Sequence, residues 1–198
     1  MGGVVDGVMQ VTEARDDRVV RDATAADASA CAAIYAPYVT DTTISFEATP
    51  PDAAELRRRI EVAQARHAFL VLEEPDGQLA GYAYGGLFRE RAAYRFSCEV
   101  SVYLAMSRRG SGGGRRLYEA LLARLAERGF RTVAAGVTQP NDASARLHTA
   151  LGFEPVGTYS RVGYKLGQWL DVAWYQRAIG SGADAFADAS GEPPTEPR

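Results

Sequence analysis

Phe96-Ser97-Cys98-Glu99-Val100-Ser101-Val102-Tyr103-Leu104 and, after Ala105-Met106-Ser107, Arg108-Arg109-Gly110-Ser111-Gly112-Gly113-Gly114-Arg115-Arg116-Leu117-Tyr118 form the stretch to which the rest of the chain is referred. Its first part alternates. Phe96, Cys98, Val100, Val102 and Leu104 share one face, and Ser97, Glu99, Ser101 and Tyr103 the other. A period of two with one apolar face predicts a β-strand. The basic, glycine-rich segment that follows reads as a turn, and Leu117, Leu121 and Leu125 then recur at helical spacing. A strand, a glycine turn and a helix start in succession read as a preformed anion site, with an ordinary tight strand-to-helix connection as the alternative. Unpaired N–H groups of the first helical turn and the positive end of the helix dipole point the same way. Glycines let the backbone come close to the anion.

Two common phosphate motifs are excluded. A P-loop needs Lys-Ser or Lys-Thr after its glycines, and neither pair occurs in the chain. A dinucleotide fingerprint opening at Gly110 would need a third glycine where Arg115 stands. What remains is an Arg-x-x-Gly-x-Gly pattern from Arg109 to Gly114. The 198-residue length suits one domain with a full core, and the net charge of −3 argues against nucleic acid or an acidic membrane surface as partner. Lys165 is the only lysine, so the cations are almost all arginine. Cys31 and Cys98 form no CxxC pair, and with His67 and His148 they fit no familiar zinc spacing, so no metal is expected. Met1 to Gln10 lacks the basic and apolar regions of a signal peptide, and no apolar run approaches the roughly 20 residues of a membrane helix. The expectation is a cytoplasmic protein.

Residues 1–17 are expected to be a flexible leader, 18–179 a single domain and 180–198 a disordered tail. A short strand at 18–22 precedes a helix from a Thr24 cap, with Asp27 completing a capping box, to about Tyr35. Residues 38–51 look β-prone. A helix from Asp52 buries Leu56, Ile60 and Ala63 and turns Arg57, Arg58 and Arg59 to solvent. Strands are expected at 68–72, 78–87, 96–104, 132–137, 155–164 and 169–177, with helices at 114–128 and 143–151. This order predicts an α/β fold, a mixed and mostly antiparallel sheet with helices on both faces.

Five segments, in order along the chain, resemble one family. The Arg109–Gly114 turn is similar to the acyl-CoA pyrophosphate loop of the GNAT acetyltransferases. Ile44-Ser45-Phe46-Glu47, Arg89-Glu90-Arg91-Ala92-Ala93-Tyr94, Gln139 to Phe153 and Val162 to Val172 resemble segments of the phosphinothricin N-acetyltransferases within that superfamily. The pattern departs from the family at Gly113, where an apolar residue is usual, and a looser turn is expected there. The resemblance covers about Arg18 to Gln176 and implies the GNAT fold. It further implies acetyl-CoA as cosubstrate and acetyl transfer to the amino group of a glutamate-like amino acid such as phosphinothricin or methionine sulfoximine or sulfone.

Residue by residue, the resemblance makes Glu99 the general base, acting directly or through a water. Tyr103 would orient that water, or alternatively only pack. His148 matches a histidine near the active site, with a structural role as the alternative. Backbone groups of Val102, Tyr103 and Leu104 would stabilise the developing oxyanion. Acetyl-CoA would be held by Arg109, Gly110, Ser111, Gly112, Gly113, Gly114, Asn141 and Ser144, and helix capping is the other reading of Asn141. Arg89 and Arg91 would meet the acid groups of the amino acid, with Phe46 and Tyr94 as further walls. A homodimer is also implied, and the apolar Ile44–Phe46 stretch is compatible with it. Two alternatives stay open: a catalytically idle CoA-binding sensor, and an acetyltransferase for a protein N-terminus or an antibiotic amine.

Overall fold

A computed structural model describes residues 16–180, so most of the expected leader and tail lies outside the described residues. Seven strands form one sheet in the order β1-β2-β3-β4-β5-β7-β6. They are β1 (Val19–Asp22), β2 (Ala68–Glu73), β3 (Leu79–Leu87), β4 (Ser97–Leu104), β5 (Thr132–Thr138), β6 (Glu154–Lys165) and β7 (Gln168–Ala178). Every pairing is antiparallel except β4 with β5. The helices are α1 (Ala28–Thr40), α2 (Ala53–Arg66), α3 (Gly113–Glu127) and α4 (Asp142–Ala150). The mixed, mostly antiparallel sheet with helices on both faces is the expected fold.

The alternation in β4 assigns its two faces. Cys98 and Val100 are buried in a cluster with Leu117, Leu121 and Leu125 of α3, and Val102 and Leu104 pack against its edge. Tyr103, from the opposite face, packs against the second cluster, built from Tyr35, Tyr38 and Val39 of α1, Leu56, Ile60 and Ala63 of α2, and Tyr82 of β3. The three α2 residues are those that the helical spacing selects. Asp52 caps this helix by accepting from the Glu55 N–H at 2.8 Å. Of the arginines expected to face solvent, Arg58 pairs with Glu55 within the helix. Arg59 departs from the expectation, since it also reaches Glu47 at 2.6 Å.

One segment differs from the sequence reading. Residues 38–51 are not strand. The helix that starts after the Thr24–Asp27 capping box continues through Pro37 to Thr40, and 41–52 carry no regular element. A proline usually ends a helix because it lacks an N–H and crowds the preceding turn. Here the helical stripe Cys31, Ile34, Tyr35, Tyr38 runs on past it, all four side chains are buried, and the Tyr38 hydroxyl donates to the Leu104 carbonyl at 2.7 Å. Tertiary burial overrides the local signal.

Leu121 is fully buried between α3 and the sheet. Leu121→Ala should destabilise the protein by about 2–5 kcal/mol, read as a lower urea midpoint with an unchanged denaturant slope. A loss below about 1 kcal/mol would mean that this helix face repacks freely.

Candidate active site

β4 and β5 pair over only three residues, Ser97 with Thr132, Cys98 with Val133 and Glu99 with Ala134. Beyond them β4 stays paired with β3 as far as Leu104, and β5 stays paired with β7 as far as Thr138. The two strands therefore part and leave a cleft in mid-sheet, lined by Val100, Val102, Gly136, Thr138, Asn141 and Ser144. In an antiparallel pair successive residues point their backbone groups alternately toward and away from the partner strand. The Ala105 N–H bonds to Ala80 of β3, so the N–H groups of Val102 and Leu104 face the cleft. Two carbonyls on that edge have a tyrosine hydroxyl close by: Tyr38 donates to Leu104 at 2.7 Å, and the Tyr118 hydroxyl oxygen lies 3.5 Å from the Val100 carbonyl.

At the wide end of the cleft lies the glycine turn. Gly110 and Gly112 take φ of 77° and 81°, a left-handed conformation that other residues adopt only under strain. Gly112 is the N-cap of α3 and supplies no side-chain cap, so the first-turn N–H groups keep their capacity for an anion. A groove runs from this turn between β4 and α4, lined by Tyr38, Leu104, Arg109, Gly110, Asn141 and Leu147. Arg109 is exposed at its mouth. Ser111 points away, tied through its hydroxyl and carbonyl to the Arg18 guanidinium at 3.0 and 2.9 Å. Arg18 is itself held by Asp16 at 2.6 Å. A Cβ on Gly113 would collide with Leu72 and crowd Arg18 and Leu104, so the space of the expected apolar side chain is already filled. Asn141 caps α4, accepting from the Ser144 N–H at 3.1 Å, while also lining the groove.

Glu99 stands where the strand pairing ends. Its half-buried carboxyl has a raised pKa because burial disfavours the charge, and the Arg89 cation partly offsets this. The Tyr103 ring sits in an aromatic cluster, 4.7 Å from Tyr35, 5.1 Å from Tyr38 and 5.5 Å from Tyr82. His148 is buried beneath the cleft floor, where its Nδ1 lies 2.8 Å from the Ser144 carbonyl and its Nε2 lies 3.2 Å from the Tyr118 hydroxyl. A carbonyl can only accept, so Nδ1 carries the proton and Nε2 is left to accept from Tyr118. Burial lowers the His148 pKa, which keeps the ring neutral.

The four residues expected to contact the amino acid separate. Arg89 lies against two rings near Glu99, with its guanidinium carbon 4.5 Å from the Phe88 ring centre and 5.7 Å from that of Trp174. Tyr94 packs edge-on to Phe88 at 5.7 Å. Arg91 lines a surface hollow with Arg66, His67 and Arg95. Phe46 lies over Gly163 of β6, where a side chain on the glycine would collide with its ring. The loop that carries Phe46 is tied to the same strand by Lys165, which donates to the Ser45 carbonyl at 2.6 Å. Sequence reasoning missed Trp174, Tyr38 and Tyr118. Trp174 gave only the signal of one more residue in a strand, Tyr38 that of the start of a β-prone segment, and Tyr118 that of a helix position. Among the described residues, no group of three or more His, Cys, Asp or Glu side chains could hold a metal ion, and no helix is long and apolar enough to cross a membrane.

A sheet split beside an acid, with a glycine turn and helix start at its wide end, is the architecture of an acyl-CoA-dependent transferase. The Acetyltransferase (GNAT) domain family matches residues 20–174, and the chain belongs to that family. It is 44% identical over 167 residues to a phosphinothricin N-acetyltransferase of Alcaligenes faecalis, covering 83% of each chain. It is 37% identical to an L-methionine sulfoximine/L-methionine sulfone acetyltransferase of Pseudomonas paraeruginosa, covering 79% of this chain and 92% of the relative. A phosphinothricin acetyltransferase structure from Sinorhizobium meliloti in complex with AcCoA superposes with a TM-score of 0.81 at 36% identity, covering 91% of this chain and 93% of that one. The protein is an N-acetyltransferase of the phosphinothricin and methionine sulfoximine type, and acetyl-CoA is its acyl donor.

Nothing lies within 4 Å of a Cβ added at Gly112, so a side chain there would meet the left-handed backbone and any bound anion, not the core. Gly112→Leu should weaken acetyl-CoA binding at least tenfold in calorimetry while the protein still folds. Unchanged affinity in a folded variant would remove the turn from the binding site.

Proposed function

We propose that the protein moves an acetyl group from acetyl-CoA to the α-amino group of a glutamate-like amino acid with an anionic or strongly polar side-chain head, with Glu99 as general base. The observation that carries the reading is the position of Glu99: the last β4 residue paired with β5, at the apex of the cleft, half-buried and within the field of Arg89. The pyrophosphate of acetyl-CoA fits the Arg109–Gly114 turn, and Asn141 and Ser144 border the same groove. Bound there, acetyl-CoA supplies an activated acyl group as its thioester. Cleft-facing N–H groups of Val102 and Leu104 are suited to donate to the acyl oxygen.

An amino acid's amine is mostly protonated near neutral pH and must lose a proton before it can attack. Glu99 accepts that proton, directly or through one water. Its raised pKa brings it nearer to the operating pH, where a general base is most effective. Tyr103 supports the shape of the site by packing. His148 is a positioning residue under the cleft, because its proton is committed to Ser144 and its other nitrogen to Tyr118. Arg89 meets an acid group of the amino acid and Tyr94 borders it, whereas Phe46 lies apart from them over Gly163. Arg91 is a second cation further out. An idle sensor would not need a base at the apex. Exposed Val162, Tyr164, Leu166 and Trp169 on the β6–β7 hairpin, beside exposed Phe46, support a second copy of the chain packing there. The protein is proposed to work in the cytoplasm.

General-base assistance is typically worth about 10²–10⁴-fold, so Glu99→Gln should lose turnover on that scale and still bind acetyl-CoA in calorimetry. Near-normal turnover would return Glu99 to an ordinary strand residue. For the wild type, the acid limb of the pH–rate profile should lie above the ordinary glutamate range, since burial raises this carboxyl.

A charge-assisted hydrogen bond is worth about 1.5–3 kcal/mol, or roughly 10- to 150-fold. Arg89→Ala should therefore lower kcat/KM for methionine sulfoximine by about that factor, and Arg91→Ala by less. Neither should change the acetyl-CoA KM. Equal losses for anionic amino acids and for simple amines would rule out the amino-acid substrate class.

A further inference from the structure

Arg89 is on an exposed loop, yet it is the cation that acts on Glu99. A long arginine side chain in water samples many rotamers, and holding one of them costs entropy unless something packs against it. Phe88 and Trp174 do this. Their rings meet edge to face at 6.3 Å, and the guanidinium lies against both. Arg89 also donates to the Phe88 carbonyl at 2.8 Å.

Trp174 reaches this place because of what lies under it. It is the register partner of Gly136 in β5, and a Cβ on Gly136 would come within 3.4 Å of the indole. Gly136 lines the cleft, and Ala134, two residues earlier on the same face, is the register partner of Glu99. The indole thus bridges from the cleft rim to the loop that carries Arg89. Phe88, Arg89, Ala134, Trp174 and Gln176 line one pocket beside Glu99.

We propose that Trp174 is a positioning residue, which with Phe88 forms an aromatic corner that fixes Arg89 beside Glu99, so that one guanidinium both binds the acceptor's acid group and sets the basicity of the catalytic carboxylate. This deepens the reading of Glu99 as base and Arg89 as substrate cation, and rests on it. Among the described residues, the titratable groups besides Arg89 that interact with Glu99 are Tyr84 of β3 and Tyr118 of α3, both neutral at working pH because burial raises their pKa. The facing residues of β5, Thr132, Val133 and Ala134, carry no charge. Arg89 is therefore the charge whose displacement Glu99 would register. The sign follows from that: a nearby cation favours the carboxylate, so releasing Arg89 raises the Glu99 pKa and moves the acid limb to higher pH.

The first test needs no acceptor. The Glu99 carboxyl is titrated by carbon-13 NMR in the full chain, with its signal identified by its loss in Glu99→Gln. Arg89→Gln and Trp174→Leu should each raise the Glu99 pKa, the double variant should raise it no further than Arg89→Gln alone, and Trp174→Phe should keep most of the wild-type value. With acetyl-CoA and methionine sulfone, Trp174→Leu should raise the amino-acid KM roughly 2- to 30-fold, the range of a cation–π contact, and leave the acetyl-CoA KM unchanged. If Trp174→Leu does not fold, Phe88→Leu removes the other ring and carries the same expectations. A Glu99 pKa that moves in Arg89→Gln but not in Trp174→Leu, or additive shifts in the double variant, overturns the proposal. Near-normal turnover in Glu99→Gln overturns the general-base reading instead, while the titration still decides whether Trp174 positions Arg89.

Discussion

The parallel pairing of β4 with β5 stops after Glu99 and Ala134, and most of the site follows from that break. A buried strand edge cannot leave its N–H and C=O groups without partners, since each unpaired group costs free energy comparable to a lost hydrogen bond. The Tyr38 hydroxyl of α1 relieves part of the cost by donating to the Leu104 carbonyl. The N–H groups of Val102 and Leu104 remain directed into the gap. They are the donors to which the proposed function assigns the acyl oxygen.

The same strand separates the chemistry by face. Its even-numbered residues sink into the aliphatic core under α3 and anchor the strand, while its odd-numbered face carries Glu99, Ser101 and Tyr103 toward a layer of tyrosines. That layer is apolar enough to raise the Glu99 pKa, and Arg89 keeps the rise in check. Burial favours the neutral acid and the nearby cation favours the carboxylate, so the two act on Glu99 in opposite directions.

The glycine turn shows how a departure from a family pattern can be compensated at a distance. Gly113 lacks the usual apolar side chain, but Arg18 crosses from the start of the chain, crowds the same space and bonds Ser111 twice. Asp16 pairs with both Arg18 and Arg116 of α3, so the segment before β1 is joined to the start of the helix that follows the turn. The turn is thus tied to a residue 93 positions away, which no local pattern could disclose.

The sequence by itself determined the strand-turn-helix unit, the two faces of β4, the buried face of α2 and the order of elements. These rest on periods of two and 3.6 residues and on glycine and capping signals, all of which act within a few positions. It also pointed to the Arg109–Gly114 turn through that local unit, and to Glu99 through the family resemblance. Only the tertiary structure decided the rest. It carried α1 through Pro37, because burial of Tyr38 outweighed the local preference for a break. It separated Arg89 from Arg91, two residues apart in one loop, by giving the first an aromatic corner and the second an open hollow. It also made Trp174 part of the site, because strand order sets β7 beside β5 and Gly136 leaves room for the indole. Contacts between positions far apart in sequence depend on sheet register, and register is fixed only when the whole core closes.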